Sequence, residues 1–416
     1  MTHPTADSPT AFRGWRMVGL AFLAQSIAIG LTFGVYGTWV AALEQSFGVS
    51  RTLSASGLAL VLLTKGLLSP MVGHALGRWS IRRTMQIGAL LMAAGHALLA
   101  VANDIALALA AYGLVVGAGV CLLGTLPAQA LVTNWFISRR GKALGLTMMP
   151  LVVFLAPVLA AWSNGAFGWR ATALAVAAIC LAALPALRRV VDHPHQIGQS
   201  PLSDAAGEAG ATMAAGVPAA IETGALLTNW RFWALSLVAG LAFSASTMIA
   251  THLVPMAAAS GVSYQQAALA LSVMGGSGIL GAFLFGVIGD RIGPAYAYAL
   301  NVTLQIGLWS LLLAAPPFSL LLITAAAIGL CGGGMSVAQA GLLGALFGPA
   351  SFAKASGLVT FITMPFTFGA APLAGLLFDR TGSYQHSITL HMALFAIAAV
   401  ALVIIAPRRR LAATPA

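Results

Sequence analysis

Twelve apolar stretches alternate with short polar segments along the chain, at about 15–43, 53–76, 84–102, 105–132, 143–162, 170–187, 231–258, 265–288, 295–314, 318–347, 354–378 and 387–406. Each reaches the roughly 17–25 residues that a helix needs to cross a bilayer. The longer ones leave room for tilt or for extension past the headgroups. Small residues recur within them, and in lipid these let helix backbones approach closely. Gly30, Gly34 and Gly37 are expected to do so in the first stretch. Pro150 and Pro157 in the fifth and Pro365 and Pro372 in the eleventh predict kinks. The pattern predicts an all-α membrane protein of twelve transmembrane helices.

Composition supports this reading. The chain is 59% hydrophobic and 7% charged, against about 25% charged in an ordinary soluble domain. A soluble fold of this length could not hide so much apolar surface. Cys121, Cys180 and Cys331 all sit inside apolar runs with no CxxC spacing, so neither a disulfide nor a metal site is expected. The first apolar run is too long for a cleaved leader and is expected to be an uncleaved first span.

Basic residues orient the chain. With the N-terminus placed in the cytoplasm, 16 of the 20 Lys and Arg fall on the inner side, as the positive-inside rule requires. Both termini are then cytoplasmic, in a bacterial-type inner membrane. The net charge of +11 is spread over short loops, which excludes a nucleic-acid partner and leaves the lipid bilayer as the partner of these charges. The one long polar stretch, 188–230, is expected to be a flexible cytoplasmic linker between a six-helix half at 1–187 and another at 231–416. His193 and His195 with Asp192 could suggest a metal site, but two histidines in such a linker are expected to be solvated side chains.

The halves echo each other. Trp15-Arg16 recurs as Trp230-Arg231, and Gly73…Arg78 recurs as Gly286…Arg291. Ala128-Gln129-Ala130 recurs as Ala338-Gln339-Ala340, and Lys142-Ala143-Leu144-Gly145 as Lys354-Ala355-Ser356-Gly357. Four matches at offsets of 210–215, in one order, indicate a six-plus-six repeat. Repeats of this kind belong to transporters that rock one half against the other.

These residues resemble the major facilitator superfamily over nearly the whole chain. Gly286-Val-Ile-Gly-Asp290-Arg291-Ile-Gly293 is similar to its loop signature, and Gly73-His-Ala-Leu-Gly77-Arg78 matches it except that Gly77 stands for the Asp. The resemblance implies a cytoplasmic gate at Gly286, Asp290 and Arg291, with a weaker counterpart at Gly73 and Arg78. An Asp at a helix end can pair with the Arg and with a neighbouring helix N-terminus. Trp135-Phe136…Lys142-Ala143-Leu144-Gly145 and Thr251-His252-Leu253-Val254-Pro255 are similar to the monocarboxylate and oxalate–formate antiporter branch. That branch's Asp/Glu-Gly motif before the first helix and its first-helix lysine have no counterpart, and its eighth-helix arginine appears as Ala282.

An ionisable residue inside a span is by default a functional-site hypothesis. Lys65 stands alone in this respect, with no Asp or Glu deep in any span, so an anionic substrate is its expected partner. Snorkelling toward water is the plainer alternative, since Gly73 is eight residues away, about 12 Å along the helix. His252 could hydrogen-bond a carboxylate or carry a proton. Gln129 and Gln339 occupy equivalent places in the fourth and tenth spans, and Tyr36 adds a hydroxyl in the first. The resemblance implies that the first, fourth, seventh and tenth helices line the path.

No P-loop, HExxH or acidic pair suggests an enzyme, ATP-driven transport or a cofactor. The sequence therefore predicts a secondary transporter of a small organic anion, a monocarboxylate or dicarboxylate, with proton symport and exchange both left open. It is expected to work as a monomer by alternating access. Efflux of amphipathic or aromatic compounds and a non-transporting membrane sensor are the alternatives.

Overall fold

The computed structural model describes residues 12–203 and 221–405, and these are helical almost throughout. Eleven helical stretches are long and apolar enough to cross a membrane. In chain order they are α1 (Gly14–Tyr36), α2 (Arg51–Leu76), α3 (Ile81–Val101), α4 (Ile105–Trp135), α5 (Arg140–Phe167), α6 (Trp169–Leu187), α7 (Trp230–Ala259), α8 (Tyr264–Ile292), α9 (Pro294–Leu313), a long stretch at Phe318–Thr381, and α12 (Gln385–Ile405). The long stretch has 64 residues. A straight helix of that length would extend about 96 Å, three times a hydrocarbon core of about 30 Å. Gly348 breaks it with φ +71°, a conformation strained for any residue with a β-carbon. It is therefore two crossings, α10 (318–347) and α11 (349–381), and the protein is a twelve-helix membrane protein.

Local chemistry sets the helix starts. Ser50, Ser80 and Asp104 each accept a hydrogen bond from the backbone N–H three residues on, and Ser263 forms a capping box with Gln266. Two spans contain a wider π turn, Ser26–Leu31 in α1 and Ala111–Val116 in α4. The turns are coupled, because the Tyr112 hydroxyl donates to the Thr32 carbonyl at 2.7 Å. The expected kink at Pro150 is present as a break between Arg140–Thr147 and Leu151–Phe167.

Helices α1–α6 pack among themselves, as do α7–α12, and the two bundles meet chiefly along α2–α11 and α5–α8. Small residues allow these approaches. Gly30 leaves no room for a β-carbon against Val152, nor Gly34 against Ala156, while Gly37 faces open space.

The linker departs from the expected flexible tether at both flanks. Leu202 pairs with the backbone of Trp135, Ile137 and Ser138. The Asp192 carboxylate accepts from the Arg82 N–H at 2.9 Å, capping the start of α3. At the other flank, the Ile221 N–H donates to Ser351 Oγ at 2.8 Å and Lys354 Nζ donates to the Ile221 carbonyl at 3.0 Å. At the first flank the docking gives a partner to the Arg82 N–H, a first-turn donor with none in its own helix; at the second, the Ser351 and Lys354 side chains hold the backbone of Ile221. The central part of the predicted linker, 204–220, lies outside the described residues.

Candidate functional site

A cavity of about 340 Å³ lies between the two bundles, within the range typical of small-molecule sites. Its wall is built from α2 (Lys65, Ser69), α4 (Cys121, Thr125, Gln129), α7 (Phe243, Thr247), α10 (Ser336, Gln339) and α11 (Thr360, Thr363, Thr367). The structure thus brings together Lys65, Gln129 and Gln339, three of the five predicted site residues. Lys65 is the one charged side chain on this wall. Cys121 lies beside it, with Sγ 3.7 Å from the Lys65 carbonyl oxygen. No carboxylate pairs with the Lys65 ammonium among the described residues. Lys65 thus lines the cavity as a cation with no acidic partner among the described residues.

The polar groups on the wall differ in what they can offer. Thr247, Thr360, Thr363 and Thr367 all donate to carbonyls of their own helices, the usual habit of threonine within helices. Each of these hydroxyls keeps acceptor capacity while its proton is engaged. Gln129 Nε2 points at Met148 Sδ, 3.5 Å away, a weak acceptor. Lys65, Thr125, Gln339 and Ser356 are left with side-chain donors to give. A cation and neutral donors on one wall suit an anion or a strong acceptor.

The threonines of α11 were missed by sequence reading. Their spacing, 360, 363 and 367, places them on one helix face. A polar stripe on an otherwise apolar helix was the signal.

Tyr36 and His252 do not reach the cavity. Tyr36 is fully buried inside the first bundle, stacked on Tyr112 with ring centroids 4.3 Å apart. Its hydroxyl donates to the Ser54 carbonyl at 2.6 Å, and Gly57 is a glycine because this ring occupies the space of a β-carbon. His252 is held by the Ala371 carbonyl at 3.0 Å and the Tyr384 hydroxyl at 3.2 Å. Both ring nitrogens are spent tying α7 to α11 and to the turn before α12. The first helix contributes no residue to this wall.

On the basic side of the cavity the bundles are pressed together by pairs of glycines. A β-carbon on Gly73 would strike the Ala353 carbonyl, and one on Gly357 the Ser69 carbonyl. In the other pair, a β-carbon on Gly286 would strike the Gly141 carbonyl, and one on Gly145 would lie 2.6 Å from the Ala282 carbonyl oxygen. The two contacts are related by the repeat, α2 on α11 and α8 on α5. Ser69 adds a hydrogen bond from its hydroxyl to the Gly357 carbonyl at 2.9 Å. Toward the opposite face α5 and α8 part, and Gly275 on α8 has nothing within 4 Å of a β-carbon position.

Asp290 sits where α8 meets the start of α5. Its carboxylate accepts from the Gly141 N–H at 2.6 Å and the Lys142 N–H at 2.7 Å. These are first-turn donors with no partner inside their own helix. Arg140 is anchored on the Phe136 carbonyl at 2.9 Å and reaches α10, where its guanidinium lies 3.0 Å from a β-carbon position on Gly344. The expected pairing of Asp290 with Arg291 does not occur. Arg291 and Arg78 are exposed, so at both loops the glycines make the contact and the arginines face solvent.

The repeat places Gly77 where Asp290 stands. The equivalents of Gly141 and Lys142 are Ala353 and Lys354, but α11 begins at 349, almost one turn earlier than α5 in the aligned repeat. Those N–H groups are therefore already used within α11. An aspartate at position 77 would find no free donors there. The linker meets this helix start instead, through Ile221 on Ser351 and Lys354.

Comparison with known proteins agrees with this architecture. "Monocarboxylate transporter 11" of Homo sapiens is 28% identical over 410 residues, covering 94% of this chain and 82% of that protein. "Monocarboxylate transporter 13" of Bos taurus is 28% identical over 393 residues, covering 92% and 87%. The solved structure of the proton:xylose symporter XylE bound to 6-bromo-6-deoxy-D-glucose superimposes with a TM-score of 0.73 at 15% identity, covering 95% of this chain and 96% of that one. The family model described as Major Facilitator Superfamily matches residues 21–313 and 235–416. With both bundles covered by that match, the chain belongs to the major facilitator superfamily.

Proposed function

We propose that this transporter moves a small organic anion, a monocarboxylate or dicarboxylate, through the cavity between its bundles. The observation that carries the proposal is Lys65, the one charged side chain on the cavity wall. A carboxylate would accept from its ammonium and from the Gln339 amide. The likeness to proteins named monocarboxylate transporters supports the same class. The basic face is cytoplasmic by the positive-inside rule, which places both termini inside, in a bacterial-type inner membrane.

The glycine contacts and Asp290 form the cytoplasmic gate, closed in this conformation. The two six-helix bundles rock as units about the cavity, with Gly73 and Gly286 as the closest points. Only a difference in interaction energy between the two states can drive this switch. The cavity wall offers no carboxylate for proton coupling. Coupling, if by protons, would run through the substrate or Lys65.

Reconstitution tests the proposal. Proteoliposomes carrying the protein are assayed for counterflow of labelled lactate, oxalate, benzoate and a cationic dye. Saturable flux of an acid, with Lys65→Gln weakening its apparent affinity, is expected. A charged hydrogen bond contributes about 1.5–3 kcal/mol, so the loss should be about 10-fold or more. Flux of the dye alone would favour efflux of amphipathic compounds. Absence of any flux would favour a sensor.

A further inference from the structure

A second cavity, of about 240 Å³, opens within the second bundle. Phe243 lines both cavities. The two are also neighbours along α10, where Gly332 and Gly333 line the second and Ser336 and Ala340 the first, at one- and two-turn spacings on one helix face. The second cavity is walled by α7, α8, α9 and α10, and Pro150 at the break in α5 closes one side.

Its lining is mostly apolar, with one buried amide. Gln305 is 2% exposed. Its Oε1 accepts from Trp309 Nε1 at 3.2 Å, which leaves its amide nitrogen as a donor on this wall. Two of the lining glycines, Gly275 and Gly332, have nothing within 4 Å of a β-carbon position. Their neighbours Gly329 and Gly333 are different, each pressed against the α8 backbone. Helix packing thus explains Gly329 and Gly333 but not Gly275 and Gly332, where the missing side chains leave open space.

We infer that this annex receives the apolar body of the substrate, so that the preferred anions are carboxylates bearing an aryl or branched alkyl group of similar size. The inference rests on the anion reading above. The carboxylate stays at Lys65, the body passes Phe243, and an acceptor at its far end meets the Gln305 amide. Lactate, with no such body, uses the first cavity alone.

The test compares apparent affinities for lactate and 3-phenylpropionate in proteoliposomes of the full-length protein. In the unaltered protein the aryl acid should bind about 10-fold or more tightly, from the added apolar burial. Gly332→Leu fills the annex. It should remove that preference while changing lactate affinity by less than about twofold, since the first cavity is untouched. Gly275→Leu, from the facing helix, should do the same and guards against a folding defect peculiar to one variant. If both acids are carried but the leucine variants leave their ratio unchanged, the annex is not a binding site and the anion reading stands. If neither acid is carried, the anion reading fails and the annex proposal with it.

Discussion

Replacing Asp290 by alanine should unlock the basic face. In the present conformation its carboxylate holds two N–H groups at the start of α5, at 2.6 and 2.7 Å. Both bonds cross between bundles, so they exist only while that face is closed. A hydrogen bond to a charged group contributes about 1.5–3 kcal/mol where it is well sheltered. Asp290 is solvent-accessible, and water replaces its partners when the bundles part. The pair together should then contribute about 2 kcal/mol, including the favourable end of the α5 dipole. That corresponds to a shift of roughly 30-fold in the ratio of closed to open basic face. Asp290→Asn retains one acceptor oxygen without the charge and should shift the ratio by about fivefold, or about 1 kcal/mol. The assay is pulsed electron spin resonance between labels at Trp79 and Tyr296, exposed positions on the basic side of the two bundles. A longer distance should gain population in the order wild type, Asn, Ala. A distance distribution identical in all three proteins would refute the reasoning, because bonds that break on opening must bias the equilibrium when removed.

Gly77→Asp, which restores the superfamily's residue in the first loop, should leave the same distance distribution unchanged, because the N–H groups it would need are used within α11. Gly286→Leu should clash with the Gly141 backbone and raise the open population by more than Asp290→Ala, read by the same labels. Tyr36→Phe removes the hydroxyl bond to the Ser54 carbonyl, which keeps its own helical donor, and should cost about 0.5–1.5 kcal/mol of stability, visible in thermal unfolding, with substrate affinity unchanged. His252→Ala should behave likewise, destabilising the packing of α7 on α11 without altering affinity in the counterflow assay.

Much of the fold could be read from residue order. Apolar runs of membrane length, the basic loops and the repeated motifs are local properties, and each has a direct physical meaning in a bilayer. Even the long helical stretch over Phe318–Thr381 reads in the sequence as two apolar runs, with Gly348 supplying the turn between them. The site was legible only in part. Lys65 stood out because a cation within an apolar span is costly, and Gln129 and Gln339 because the repeat doubled them. Tyr36 and His252 lie apart from the cavity for a common reason. A polar group on a membrane helix must find a partner, and sequence cannot say whether that partner is a substrate or a neighbouring backbone carbonyl. For these two it is the Ser54 and Ala371 carbonyls. The linker's polar composition hid that its flanks supply partners to the starts of α3 and α11.

Sequence by itself determined that the chain crosses a membrane twelve times in two related sets, because hydropathy and charge act residue by residue against the bilayer. It also determined that one cation lies within the spans. Only the tertiary structure decided which helices meet and therefore what Lys65 faces. It showed that Asp290 holds the α5 backbone rather than an arginine, and that an apolar annex lies beyond Phe243. These depend on where backbones approach within a few ångströms, a property of pairs of helices that no single stretch of sequence contains.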